Sequence, residues 1–151
     1  MPSTTKKPAP GQTLGAQPGP TFAPEDFADE LAVVGDNRNV GTRLWFENDH
    51  VQVWDLSLQP GERVPFHTHD QMYFWTVTDP SRLMQRFDDG TSRVADVEVG
   101  HTNFMEYGPG DRTVHDLENA GDTFFRCVTV VLKSPLGGIK PEQAPGQRPT
   151  A

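Results

Sequence analysis

The sequence predicts an all-β domain, a sandwich or barrel of short strands with one short helix ahead of it. Three observations carry that expectation. From residue 42 onward, short runs rich in Val, Phe, Trp, Tyr and Thr alternate with turn residues. The separators recur at regular spacing: Asn48-Asp49, Pro60-Gly61, Asp79-Pro80, Asp89-Gly90, Gly108-Pro109-Gly110 and Ala120-Gly121-Asp122. Proline is segregated: six of the 14 fall at Pro2, Pro8, Pro10, Pro18, Pro20 and Pro24, and four at Pro135, Pro141, Pro145 and Pro149.

The elements follow in order. Residues 1–22 combine Pro with Gly, Ser, Thr and Gln and carry little to bury, so they are expected to form a disordered tail. Residues 24–34 read as the helix. Pro24 suits a first turn, Glu25 and Asp26 complement the positive helix end, and Gly35 is a stop. Phe27, Leu31 and Val34 share one face. Strands are expected at 42–48, 51–58, 63–69, 72–78, 82–87, 92–98, 102–107, 112–118 and 123–132. Asp89-Gly90, between Leu83–Phe87 and Val94–Val97, is a hairpin turn. Residues 134–151 repeat the composition of the first tail, which leaves 23–133 as the folded domain.

Composition removes several function classes. The chain has 151 residues, enough for one domain with tails. Its net charge of -8 repels nucleic acid and anionic membrane surfaces. No apolar run approaches the ~18 residues of a membrane helix. Lys6 and Lys7 are not followed by the apolar stretch of a signal peptide, so the cytoplasm is the expected compartment. A single cysteine, Cys127, precludes an internal disulfide and a cysteine-based zinc site.

The chemistry concentrates in Gly61-Glu62-Arg63-Val64-Pro65-Phe66-His67-Thr68-His69. In a strand, side chains two apart share a face, so His67 and His69 aim two imidazoles into one space. Without a bulge, Gln71, Tyr73 and Trp75 continue that face, and Phe66, Met72 and Phe74 pack on the other. His115, in a later strand and followed by Asn119, can complete a three-histidine set that leaves coordination positions open.

Here the chain resembles the cupin superfamily. The first cupin motif is Gly, five residues, His-x-His, then three or four residues and Glu; Gly61, His67 and His69 match it. The Glu position falls on Tyr73 or Phe74, so the carboxylate is missing. The second motif is Pro-x-Gly-x-x-His-x-x-x-Asn; His115 and Asn119 match, while Pro109 and Gly110 stand one and two residues too far away. Small single-domain cupins of the β-alanine-degradation type are similar in their Val-Gly-Thr opening, aromatic second strand and Pro-Gly-Glu turn. The resemblance implies a double-stranded β-helix (a jelly-roll barrel) over 40–133, with His67, His69 and His115 binding a divalent metal inside the mouth. Three-histidine cupins include ferrous oxygenases that cleave carbon–carbon bonds or oxidise thiols. Iron(II) is the first choice of ion, with Ni, Zn, Cu or Mn as alternatives.

Supporting roles stay open at this point. Tyr73 is either a hydrogen-bond donor to a metal-bound ligand or an aromatic wall. Gln71 either orients substrate or is a polar residue at a strand edge. Arg126 shares strand parity with Phe124, Val128 and Val130, and either faces inward or pairs with a surface acid. His50 and His101 are expected in solvent, and Cys127 as a buried, inert thiol. The functional expectation is a metal-dependent, dioxygenase-like enzyme on a small polar or carboxylate-bearing molecule. The alternatives are a non-catalytic cupin that binds a metal or small ligand, and a structural dimer with a vestigial site. An exposed strand edge also predicts a homodimer.

Overall fold

A computed structural model describes residues 5–8 and 16–133. Alternating burial within short runs forms ten strands: β1 Gln17–Pro18, β2 Arg43–Glu47, β3 Val51–Leu58, β4 Arg63–His69, β5 Tyr73–Asp79, β6 Arg82–Arg86, β7 Ser92–Asp96, β8 Thr102–Met105, β9 Thr113–Asn119 and β10 Phe125–Leu132. Nine of them fall within two residues of the expected bounds at each end. One five-stranded sheet has the order β1-β7-β6-β9-β4 and the other β2-β3-β10-β5-β8, and every pairing is antiparallel. From β3 to β10 the chain mostly crosses from one sheet to the other at each turn, which is jelly-roll connectivity.

Period-two burial fills the space between the sheets. β10 turns Phe125, Cys127, Thr129 and Val131 inward, β5 turns Tyr73, Trp75 and Val77, and β3 turns Trp54, Leu56 and Leu58. Val64, Leu83, Ala95 and Leu117 face them from the other sheet. Full burial of each large side chain contributes roughly 1.5–3 kcal/mol. Arg126 therefore lies on the outer parity of β10. Its expected inward alternative is corrected, since Asp55 accepts its charge at 3.2 Å. The Asp89-Gly90 turn forms as expected, with Gly90 at φ 87° and its N–H donating to the Phe87 carbonyl at 3.1 Å.

The helical expectation for 24–34 becomes a 3₁₀ turn at Pro24–Phe27, the helix α1 at Ala28–Ala32, and a 3₁₀ turn at Val34–Asp36. This segment lies over β4. Phe27 meets Phe66 edge-on at 5.3 Å between ring centroids. Glu30 receives both ends of the Arg63 guanidinium at 2.8 Å and the Phe66 N–H at 2.9 Å.

Part of the expected N-terminal tail is corrected. Gln17 and Pro18 pair with Val94 and Arg93 on the edge of β7, and Gly19 and Phe22 continue with backbone bonds to Ser92 and Gly90. Residues 5–8 lie along β9: the Lys6 N–H donates to the Arg112 carbonyl at 2.6 Å, and the Val114 N–H donates to Thr5 Oγ1 at 2.8 Å. These stretches bury little apolar area. Hydrogen bonds to the edge of β7 and to the start of β9 hold them, and composition does not register that. The rest of the two expected tails, residues 1–4, 9–15 and 134–151, lies outside the described residues.

Candidate metal centre

The turn Pro60-Gly61, with Gly61 at φ 86°, feeds β4 into the sheet. β4 lies at the edge and pairs with β9, and the register slips between Val64 and His67. That bulge holds Pro65, which has no N–H to contribute to a ladder. The extra residue keeps both Val64 and His67 inward, opposite Leu117 and His115. His67 and His115 are thus direct cross-strand partners, and His69 follows two residues on.

The three rings converge. Their centroids are 4.9 Å apart for His67–His69, 4.7 Å for His67–His115 and 5.0 Å for His69–His115. One nitrogen from each lies within 4.8 Å of the other two. His67 Nδ1 donates to the Pro65 carbonyl at 2.8 Å, which turns its Nε2 lone pair inward. That Nε2 is 3.1 Å from Nε2 of His69. Two imidazole nitrogens sharing one ion at about 2.1 Å stand ~3.0–3.4 Å apart, so the spacing suits a common ligand. His115 Nδ1 is buried with no partner among the described residues. Three converging imidazoles and an orphaned nitrogen fit a divalent cation.

Electrostatics keep the lone pairs available. Burial holds His67 down to about 4, against an ordinary 6.5, although its bond to Pro65 acts the other way. Burial, then the neighbouring imidazoles, lowers His69 well below its usual range, and burial lowers His115 similarly. All three are neutral at pH 7.

Tyr73 stacks on His69 with centroids 3.9 Å apart and planes 18° from parallel. Its hydroxyl engages Tyr107, and burial raises it well above the ordinary phenol range, so it stays protonated. Tyr107 in turn bonds Thr113 Oγ1 at 2.7 Å. Trp75 also lines the histidine cavity, as strand parity predicts.

Gln71 does not lie on that face. β4 ends at His69, the chain turns, and Gln71 is exposed, its amide donating to the Lys133 carbonyl at 3.4 Å. Strand parity does not carry through a turn. Gln71 borders a mouth cavity of about 900 Å³ with Arg38, Asp70 and Tyr107; none of the three histidines lines it. The histidines border an inner cavity of about 30 Å³, room for an ion and a ligand of a few atoms.

Sequence reasoning passes over Gln85, which borders the inner cavity with Thr129 and Cys127. The available signal is the alternation Leu83, Gln85, Phe87 in and just after β6, which sets a polar amide between two core residues. Asn119 is a structural tie. Its amide donates to the Leu58 and Thr123 carbonyls at 2.9 and 2.8 Å, and its carbonyl accepts from Ser81 Oγ and the Gly121 N–H at 2.7 and 3.0 Å. Behind His115, Asp116 is 0% exposed and accepts from Arg63 and Arg86 side chains at 3.0 and 2.9 Å and from the Arg86 N–H at 2.8 Å. Burial raises its carboxyl despite these partners. His50 is exposed as expected, but His101 is half-buried against Trp75, with a ring-centroid separation of 5.3 Å.

The fold can be compared with solved structures. A cupin domain from Bordetella pertussis Tohama I superposes with a TM-score of 0.53 at 18% identity, over 86% of this chain and 99% of that one. The chain has the cupin fold. A double-stranded β-helix protein from Klebsiella pneumoniae shares 21% identity over 74% of this chain and 83% of its own, with a TM-score of 0.49. No protein-family model matches the sequence, and no curated protein matches it. In this cupin barrel, the histidines from β4 and β9 occupy the space between the sheets, and no carboxylate joins their cluster among the described residues.

Proposed function

We propose that this protein is a metal-dependent cupin in which His67, His69 and His115 hold one divalent cation, and that the centre acts on a small polar or carboxylate-bearing molecule in dioxygenase fashion. The observation that carries the reading is the convergence of three buried, neutral imidazoles from two paired strands. Iron(II) is the first choice of ion; Ni, Zn, Cu or Mn also suit imidazole. The ion, when bound, supplies Lewis acidity and open coordination positions.

The chain's own residues do the rest. Pro65 fixes the tautomer of His67 through its carbonyl. Tyr73 holds the plane of His69 by stacking. Val40, Leu56, Trp75 and Leu117 exclude water from the inner cavity. Gln85 offers an amide to whatever occupies the remaining space. Three neutral imidazoles leave the cation's charge uncompensated, which favours an anionic ligand over a neutral one. The inner cavity of about 30 Å³ admits only the reacting end of a substrate.

That small volume favours a second reading, a cupin that binds a metal or small ligand without turnover. Elemental analysis of the purified protein beside His67→Ala tests the centre: one ion per chain, lost in the variant, supports it, and equal metal content in both refutes it. Oxygen uptake across a panel of small acids and dicarbonyls then separates the readings. A flat response from metal-loaded protein assigns the binding role.

A further inference from the structure

The mouth cavity and the inner cavity meet through a neck. The mouth holds about 900 Å³, the inner cavity about 30 Å³, and the neck about 20 Å³. Arg38, Thr68, Asp70 and Gln71 border both the mouth and the neck. Val40 and His69 border both the neck and the inner cavity. A ligand that sits at the histidines and extends outward therefore passes Arg38.

The neck is built by short stretches of sequence. β4 ends at His69, and the chain leaves the sheet at Asp70. The carboxylate that meets Arg38 thus stands one residue from a metal-binding imidazole. Arg38 follows the 3₁₀ turn Val34–Asp36, and its neighbour Asn37 is tied to β4. The Thr68 N–H donates to the Asn37 carbonyl at 2.8 Å, and the Asn37 amide donates to the Phe66 carbonyl at 2.9 Å. The Arg38 guanidinium grips Asp70 through Nε at 3.3 Å and Nη2 at 2.6 Å, while Nη1 donates to the Gly35 carbonyl. Three of its five N–H donors are engaged; the other two have no partner among the described residues.

This ion pair is open to exchange. The Arg38 and Asp70 side chains are 47% and 39% exposed, and a pair so exposed contributes little to stability. A ligand carboxylate takes the place of Asp70 at small net cost, because one carboxylate replaces another on the same fork. Charge at the mouth suits an anion, although the chain as a whole carries -8. Arg38 and Arg112 border it with Asp70 and Asp111, and Lys6 lies 3.4 Å from Asp111. Three cations therefore meet two carboxylates.

We propose that Arg38 binds substrate, and that the substrate is a small dianion with one carboxylate on the cation at His67, His69 and His115 and a second on the Arg38 guanidinium. This reading rests on the metal centre proposed above and adds the group that selects the ligand. The neutral imidazoles call for the first negative charge, and the guanidinium at the neck calls for the second. A monoacid satisfies only the first.

Isothermal titration calorimetry on the full chain tests this, with zinc loaded, or iron(II) under nitrogen where zinc does not bind. The probes are malonate, succinate and glutarate beside acetate, propionate and butyrate. The best diacid is expected to bind about tenfold more tightly than any monoacid, as a charge-assisted bidentate contact implies. Arg38→Gln is expected to erase that preference and leave monoacid binding unchanged. Asp70→Asn removes the competing carboxylate and is expected to tighten diacid binding. Arg82→Gln alters net charge equally at another exposed pair, with Asp96, and is expected to keep the preference. Metal content and far-ultraviolet circular dichroism of each variant are expected to match the parent. If Arg38→Gln does not fold, Asp70→Asn decides: tighter diacid binding supports the proposal, and equal or weaker binding overturns it. Equal binding of diacids and monoacids by the metal-loaded wild type also overturns it. So does an Arg38→Gln protein that keeps the preference, and so does an Arg82→Gln protein that loses it. A chain that takes up neither ion fails earlier, at the metal centre itself, and elemental analysis reports that before any acid is added.

Discussion

Acid should weaken the metal-free protein through its histidine cluster, and the size of the effect follows from one residue. His67 titrates at about 4 in the folded chain against an ordinary 6.5. Its folded value is depressed, so the unfolded chain takes up the proton first as pH falls. The stability this represents is fully present above 6.5 and is lost progressively as pH drops towards 4. At 1.36 kcal/mol per unit, the loss from His67 is about 3 kcal/mol. His69 and His115 are displaced in the same direction and add to it. The assay is urea denaturation of chelator-treated protein at several pH values from 7 to 4, beside His67→Phe. Carboxylates titrate in both proteins, so the difference between them isolates the imidazole. The wild type is expected to lose about 3 kcal/mol relative to the variant across this window. Parallel pH profiles would show that the His67 ring is hydrated in the folded state, and the burial reasoning would fail. Adding a divalent ion at pH 7 should raise the wild-type unfolding free energy by about 2.7 kcal/mol at a hundred times its dissociation constant.

Other substitutions probe the scaffold. Asp116→Ala removes the carboxylate shared by Arg63 and Arg86, which keep Glu30 and Glu118 as partners, and should cost about 1–3 kcal/mol in urea denaturation. An unchanged midpoint would mean that solvent reaches this pair. Asn119→Ala removes a side chain that ties the Leu58, Ser81, Gly121 and Thr123 segments together and should cost about 2–4 kcal/mol, with metal content per folded chain retained. Loss of metal from the folded variant would instead give Asn119 a part in the centre. Burial pushes the Cys127 thiol up to about 12, so a disulfide reagent at pH 8 should label it only in denaturant. Rapid labelling of the native protein would contradict the packing of β10.

The strands are legible in the sequence because alternating apolar residues and Gly, Pro or Asp turns act locally. The Asp89-Gly90 hairpin and the β3 bounds need nothing from the rest of the chain. The His67–His69 pair is legible for the same reason, since strand parity is a local rule. What escapes depends on partners distant in sequence. The polar, proline-containing stretch at 16–22 gives no hint that β7 holds Gln17 and Pro18, because the decisive bonds are to the backbone. Gln71 is misplaced when parity is carried through a turn. Gln85 is overlooked because a lone amide among core residues resembles a surface residue until β6 is placed beside β9. Asn119 matches a motif, and its four hydrogen bonds show that the motif position secures turns.

The direct pairing of His67 with His115 gives the ladder between β4 and β9 a second kind of fastening. β4 is the outermost strand of its sheet and contributes two of the three imidazoles. A cation gripped there rivets the border strand to its neighbour. Peeling β4 away strips two contacts from the ion in a single motion, so fraying of that border and escape of the ion become one event with one rate.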